Sequence, residues 1–401
     1  MTTTGVPAGD RRYFPALNAV RAIGALGVVA THTAYNTGEV TQGAHGAFLS
    51  RLDFGVTLFF VLSGFLLSRP YFRAHATGRV WPSYRHYLWK RALRILPLYW
   101  VTVALALLVL PGNDGSTPGT WLLNLTLTQI YTSGLLSAGL TQMWSLCTEV
   151  AFYLLLPAVC ALLLRAGSRR RWSDTRVLYG LLASTVLGLV WQTLVAPVSD
   201  STRQHFHQWL PGFFPWFAVG MVFAFVSVTE VGKPADSRWH LLERWGHDLL
   251  GCWLIGVTAF VIACTPVAGP RMLVTPDTWH ALLKAGLYAV SAAFLILPLV
   301  FGPERDGVAR RMFSSRFAVW LGDVSYGIFC LHLLVLHFVM QLLDVPLFTG
   351  HFQNVFLLTV VGTVLLSAVT YYLIERPILR LKNAGPFAPR TAQPSASTPS
   401  S

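Results

Sequence analysis

Ten apolar windows, each long enough to cross a bilayer, restrict this chain more than any other feature. They lie near residues 16–35, 54–72, 95–111, 143–164, 177–196, 211–229, 249–267, 281–301, 317–341 and 354–374. In hydrocarbon every backbone N–H and C=O needs a protein partner, so only α-helices and closed barrels span. Windows of this length fit helices of ~20 residues rather than strands of ~10. The expected fold is therefore all-α, a polytopic membrane protein of about ten transmembrane helices. Composition agrees, since 54% of the 401 residues are hydrophobic and 12% charged, with mean hydropathy +0.53. Soluble domains carry about 25% charged residues. The third window is short, but YLWKRALRILPLYW extends it, with Pro97 near a helix entrance. Segment 121–140 is amphiphilic and glycine-broken and reads as an interfacial or re-entrant piece.

The formal charge of +13 would suit a nucleic-acid partner, but its distribution argues for a bilayer. Lys and Arg at the N-terminus, around the even-numbered loops (Arg69 at a span edge included) and at the C-terminus total 25; the odd-numbered loops hold Arg51, Arg203 and Arg271. By the positive-inside rule both termini are cytoplasmic in a multi-pass cell-membrane protein, and no nucleic acid is expected. Arg21 in the first window, and the lack of a small-x-small cleavage site, make that segment a retained anchor. The five cysteines lie in apolar runs without a C-x-x-C pair and read as small buried hydrophobes. Residues 1–15 form a cytoplasmic N-terminal segment, 16–382 the membrane domain, and 383–401 a Pro/Ser/Ala-rich disordered cytoplasmic tail.

Polar residues inside the windows mark the functional candidates, because ionisable groups in a span are costly. Arg21 and His32 are eleven residues apart, within about 20° of three full helical turns, so they share a face. Counting 1.5 Å per residue from the orientation above puts Arg21 ~6 Å and His32 ~22 Å from the cytoplasmic side. Glu149, counted down from Gln142, falls ~10 Å below the outer face, and His332 lies ~22 Å up, so all three groups are expected in one layer. Arg21, Glu375 and Arg376 form a second layer near the cytoplasm. An imidazole beside a carboxylate can act as a general base, and an inward arginine can pair with phosphates. Structural readings stand beside these. His32 and His332 could serve as interhelical hydrogen-bond partners, and Arg21 could snorkel to headgroups. Lys284 and His337 read as interface or snorkelling residues, Asp53 as water-facing, and Ser63 as a helix-packing residue. No G-x-G-x-x-G, Walker loop, G-x-S-x-G or H-E-x-x-H is present.

Six ordered runs resemble those of the acyltransferase-3 family of integral-membrane O-acyltransferases. The Arg–ten residues–His spacing is met by Arg21 and His32, and FGVTLFFVLSGFLL is similar to the second-span motif with Thr57 in place of the usual aspartate. The basic run to proline and tyrosine is matched by Lys90, Arg91, Arg94, Pro97 and Tyr99. MWSLCTEVAFYLLLP resembles the Trp-Ser-Leu, acidic, Phe-Tyr run, keeping Glu149 with Val150 in the second acidic place. Ser325, Tyr326 and His332 match the Ser-Tyr…His run, and YYLIERP the closing Ile-Glu-Arg-Pro. The resemblance implies ten helices, an acyl-CoA co-substrate, no other cofactor and no metal. It also implies a hydroxyl acceptor on a macrolide sugar, glycolipid or cell-envelope glycan. His32, Glu149 and Arg21 are the expected catalytic set, as base, orienting partner and donor ligand. Arg91, Arg94, Tyr99, Ser325, Tyr326, His332 and Glu375 are the expected substrate or donor contacts. The competing class is a transporter or flippase of a lipid-linked or acylated saccharide, which buried charges in ten spans would also suit.

Overall fold

The computed structural model describes residues 13–164, 174–195, 205–229, 240–271, 277–303 and 307–383, with the isolated residues 197 and 237. The expected tail lies outside these residues except for Asn383. Every regular element among them is helical. In chain order they are α1 (Ala16–Asn36), α2 (Gly43–Ser50), α3 (Phe54–Thr77), α4 (Tyr84–Val109) and α5 (Pro118–Leu125). Then come α6 (Trp144–Leu164), α7 (Asp174–Leu194), α8 (Leu210–Thr229), α9 (Leu241–His247) and α10 (Leu249–Ala263). The last five are α11 (Thr278–Phe301), α12 (Gly307–Phe313), α13 (Arg316–Leu342), α14 (Phe352–Thr370) and α15 (Arg376–Leu379). A π turn, Tyr371–Glu375, joins α14 to α15.

Among the described residues eight helical runs are long and apolar enough to cross a membrane, and the α9–α10 pair, bent by 93°, makes a ninth if it is one span. The difference from ten is α1. Its 21 residues suffice in length, but Asn18, Arg21 and His32 lower its hydropathy. Such a helix is stable only when protein, not lipid, surrounds it. Accordingly α1 packs against α3, α13 and α14 near the centre of the bundle.

Close helix approach depends on missing side chains, because lipid supplies no hydrophobic force between spans and packing must do the work. The tightest crossing is α3 on α8. A Cβ on Gly220 would lie 1.9 Å from the Val61 carbonyl oxygen, and one on Gly64 would lie 2.1 Å from that of Phe217.

Residues 111–143 do not cross. Short helical turns there return into the bundle beside the middle of α4 and α13 and are tied by side chains to backbone, as buried irregular backbone requires. Tyr99 Oη donates to the Asn124 carbonyl, Trp100 Nε1 to Leu125 O at 3.0 Å, and Trp209 Nε1 to Ile130 O at 2.9 Å. Gln142 Nε2 reaches Cys330 O on α13 at 3.2 Å.

Beside α10, the buried Arg51 donates Nε to Ala263 O at 3.0 Å and Nη2 to Gly269 O at 2.6 Å, closing that helix's C-terminus with a cation. Next to it Lys284 Nζ meets Asp53 Oδ2 at 2.7 Å and Tyr288 Oη donates to Asp53 Oδ1 at 2.5 Å. Lys284 is thus an ion-pair partner rather than a snorkelling residue, and Asp53 pairs with it while its side chain stays 32% exposed, within reach of water as expected. At the entrance of α11 the His280 backbone N–H holds the exposed Asp277 carboxyl below its usual range.

Candidate active site

A cavity of about 410 Å³ opens among α1, α3, α4, α6 and α13. Helical spacing builds each wall. Lys90, Arg91 and Arg94 come from adjacent turns of α4, and Glu149 and Tyr153 stand four apart on α6. Arg21 enters from α1 and Lys382 from the segment after α15. Among the described lining residues five are cationic and one, Glu149, is a carboxylate. Apolar walls from Phe59, Phe60, Leu62 and Leu67 lower the local dielectric, so these charges act strongly on one another. Arg21 lies in the fields of Arg94, Glu149 and Asp323. Ser63 Oγ donates to Glu149 Oε1. The adjacent Ser63 and Gly64 therefore divide the labour: the glycine meets α8 and the serine faces the cavity.

Arg94 is neutralised in place. Its Nη1 pairs with Glu375 Oε2 at 3.0 Å, and its Nη2 donates to Asp323 O at 3.3 Å. The π turn presents Glu375 inward, at 2% exposure. By contrast Arg91 Nε is buried with no hydrogen-bond partner among the described residues, an unmet donor beside a cavity whose cations outnumber its carboxylates.

A second constellation lies beyond the cavity, whose lining includes neither His32 nor His332. The two imidazoles face each other with centroids 5.2 Å apart and planes tilted by 42°. His332 is fully buried, whereas His32 is half-buried. His332 Nδ1 lies 2.8 Å from Phe329 O and 3.1 Å from Ile328 O. A carbonyl only accepts, so Nδ1 carries the hydrogen and, in the neutral ring, Nε2 carries the lone pair. That Nε2 has no partner among the described residues. The carboxylate whose charge acts on His32 is Asp53. Phe329 connects the two regions: its ring lines the cavity, meets Phe59 at 6.1 Å, and stands 6.2 Å from the His332 ring.

The common layer expected for His32, Glu149 and His332 holds for the imidazoles and fails for the carboxylate. The expected depth along α6 takes Gln142 to sit at the outer surface. Instead it is buried and bonds the carbonyl of Cys330, two residues before His332. Glu149, seven residues further on, is ~10 Å deeper, and Arg21 is ~16 Å below His32. The carboxylate consequently shares the arginine's level rather than the imidazole's.

Of the other expected contacts, Arg91, Arg94, Ser325 and Tyr326 line the cavity. Ser325 Oγ donates to Gly322 O at 2.7 Å and Tyr326 Oη to Ile95 O at 2.8 Å, so both hydroxyls are committed within the protein. Tyr99 does not line it; its ring is fully buried and its hydroxyl ties α4 to α5. Glu375 acts on the cavity through Arg94. Thr57, standing for an aspartate, is buried with Oγ1 unpartnered among the described residues, and Val150 packs against the core. Ser63, Tyr153 and Lys382 were missed as cavity residues. Tyr153 was detectable from its i,i+4 spacing to Glu149; Lys382 was not, since its distance in sequence from α4 hides the contact.

The chain matches the acyltransferase domain family over residues 14–374. It is 27% identical over 412 residues to Nodulation protein 10 of Rhizobium leguminosarum bv. viciae, covering 94% of this chain and 95% of that protein. It is 23% identical over 394 residues to Peptidoglycan O-acetyltransferase OatA of Listeria monocytogenes, covering 92% of this chain and 56% of the relative. It is likewise 23% identical over 398 residues to O-acetyltransferase OatA of Staphylococcus aureus, covering 94% and 59%. This chain therefore spans little more than half the length of those two O-acetyltransferases. No solved structure matches it.

Proposed function

Because this chain belongs to the acyltransferase-3 family, and is a multi-pass membrane O-acyltransferase, we propose that it moves an acetyl or short acyl group from acyl-CoA to a hydroxyl. The acceptor is a sugar-containing molecule, either a macrolide sugar, a glycolipid or a cell-envelope glycan. The observation that carries the donor assignment is the cavity, where Arg21, Lys90, Arg91 and Lys382 surround a single carboxylate. Such a surplus of positive charge in an apolar wall suits the phosphates of coenzyme A, and arginine forks add bidentate contacts. Arg91 Nε, buried and unpartnered, gains a partner when an anion enters.

Glu149 then holds Arg21 and Ser63 in register rather than orienting the base. The phosphates sit at the level of Arg21, and the pantetheine arm extends past Phe59 and Phe329 toward His32, ~16 Å away along α1. His32 accepts the acceptor hydroxyl's proton while that oxygen attacks the thioester carbonyl. The new C–O bond forms, the C–S bond breaks, and the imidazolium returns its proton to the leaving thiolate. General-base catalysis of this kind contributes about 10²–10⁴-fold.

The test uses purified protein in nanodiscs with radiolabelled acetyl-CoA and extracted envelope glycoconjugates or glycosides as acceptors. The expected result is label in the acceptor and release of free thiol in equal amounts. Arg21→Lys should raise KM for the donor about tenfold, consistent with loss of a bidentate contact. His32→Ala should lower kcat at least 100-fold. Wild-type transfer by His32→Ala overturns the base assignment, and movement of an unmodified saccharide across vesicles without acyl-CoA overturns the enzymatic reading in favour of transport.

A further inference from the structure

The base of a hydroxyl-activating site needs one nitrogen free for the substrate and the other held. Among the described residues the usual holder, a carboxylate, is missing from the imidazole pair: Glu149 belongs to the cavity, and Asp53 is already bound by Lys284 and Tyr288. What His32 does face is the ring of His332. We propose that His332 is the positioning residue of this active site, its Nε2 lone pair accepting a hydrogen bond from His32 and leaving the other His32 nitrogen to take the substrate proton. This inference rests on the acyltransferase reading above and adds a role within it.

Three observations combine. The first is tautomer: hydrogen bonds from Nδ1 to Phe329 O and Ile328 O make the neutral His332 an acceptor at Nε2 and nothing else. The second is need: His332 is fully buried and Nε2 has no partner among the described residues. A buried acceptor left unmet costs about 1–3 kcal/mol, so a bond offered there is strongly favoured. The third is distance. An N–H···N bond of ~3 Å between two imidazoles puts their centroids about 5 Å apart when both nitrogens lie between the rings, and the observed separation is 5.2 Å. His32, by contrast, is only partly buried. The chain of support then runs from the Phe329 carbonyl through His332 to His32, the same logic by which a third group orients the base in hydrolytic triads. Here a neutral imidazole replaces the carboxylate, which suits a layer where an extra charge would be costly.

The proposal separates His332 from a merely structural histidine by what a substitute can restore. His332→Leu removes the acceptor and should lower kcat about 100-fold, with KM for acetyl-CoA within about twofold of wild type. His332→Gln keeps an acceptor oxygen near the Nε2 position and should recover at least about tenfold of that loss. A His32→Ala/His332→Leu double variant should be no slower than His32→Ala, as expected of residues acting as a unit. A reading independent of turnover comes from histidine-selective 15N spectra of the full chain in nanodiscs. His332→Leu should shift the His32 nitrogen resonances, and His332→Gln should return them toward wild type. Unmoved His32 resonances in His332→Leu overturn the pairing whether or not the protein transfers acyl groups. Wild-type kcat in His332→Leu, a glutamine variant no better than leucine, or a double variant showing the full product of both losses overturns the positioning role.

Discussion

At the scale of single residues, the division between site and scaffold runs through side chains of one type. Tyr153 and Tyr326 line the cavity, whereas Tyr99, from the same basic run as Arg91 and Arg94, is turned away from it. Its hydroxyl donates to the Asn124 carbonyl inside a fully buried environment. Tyr99→Phe should therefore destabilise the protein by about 1 kcal/mol through loss of this buried hydrogen bond, the Asn124 carbonyl keeping the Leu127 N–H as its other partner. KM for the donor should stay unchanged. Thermal unfolding in detergent, compared with steady-state kinetics on the same preparation, checks both halves; a raised KM at unchanged stability would return Tyr99 to the site. What made Arg21 and Glu149 readable from sequence was their cost in a span, which few structural roles repay. Tyr99 had no such mark, since a tyrosine near a span end is ordinary. Ser63 carries no mark in the sequence for a related reason: beside Gly64 in an apolar run a serine reads as packing, and only its Glu149 partner on α6 makes it a cavity residue.

Between helices, the deciding quantity is how near two backbones can come. Along α8, Gly220 meets Val61 O and Phe65 N of α3, positions at 1.9 and 2.6 Å from an added Cβ. No side chain can yield there because the obstacles are backbone atoms. Gly220→Ala must therefore push α3 off α8 and should cost more than about 3 kcal/mol, the range of severe overpacking. Because α3 carries Phe59 and Ser63, transfer activity should fall with stability. Gly286 in the middle of α11 is the control, with nothing within 4 Å of its added Cβ. Gly286→Ala should be neutral or stabilising by about 0.4–1 kcal/mol, since alanine is the better helix former and narrows the unfolded ensemble. Unfolding midpoints of the two variants measured side by side decide the matter; equal midpoints would refute the close-crossing account. Helix positions were legible from apolar windows, and the non-crossing nature of residues 121–140 from its glycines and polar residues. Which glycines face a neighbour was not legible, because helical period defines a face without saying what stands opposite. The misplacement of Glu149 has the same origin: depth counted along one helix is only as good as the assumed position of its first residue, and Gln142 proved to be an interior residue.

Over the whole molecule, charge and cavity point the same way. The positive-inside count predicts that both termini are cytoplasmic, the side from which the proposed acyl-CoA donor would come. If that orientation holds, the cavity ringed by Lys90, Arg91 and Lys382 faces the donor pool, because α4 begins and the segment after α15 ends on the charge-rich side. The imidazole pair then stands ~16 Å further from the cytoplasm, so donor and acceptor approach the reacting atoms from opposite sides of the bundle. Orientation is thus a premise of the mechanism as well as of the topology, and it can be measured without any substrate. Single cysteines at Lys382 and at Glu39, which precedes α2 on the opposite side, would be placed in a chain whose native cysteines are replaced by alanine or serine. A membrane-impermeant maleimide should label Glu39→Cys in intact cells and Lys382→Cys only after the membrane is opened. In inverted vesicles the order should reverse, and acetyl-CoA should slow labelling at Lys382→Cys, since Lys382 lines the donor cavity. Labelling of Lys382→Cys in intact cells would put the cationic cavity on the outer face. An acyl donor other than cytoplasmic acyl-CoA would then be required, while the pairing of His32 with His332, an internal contact, would be unaffected.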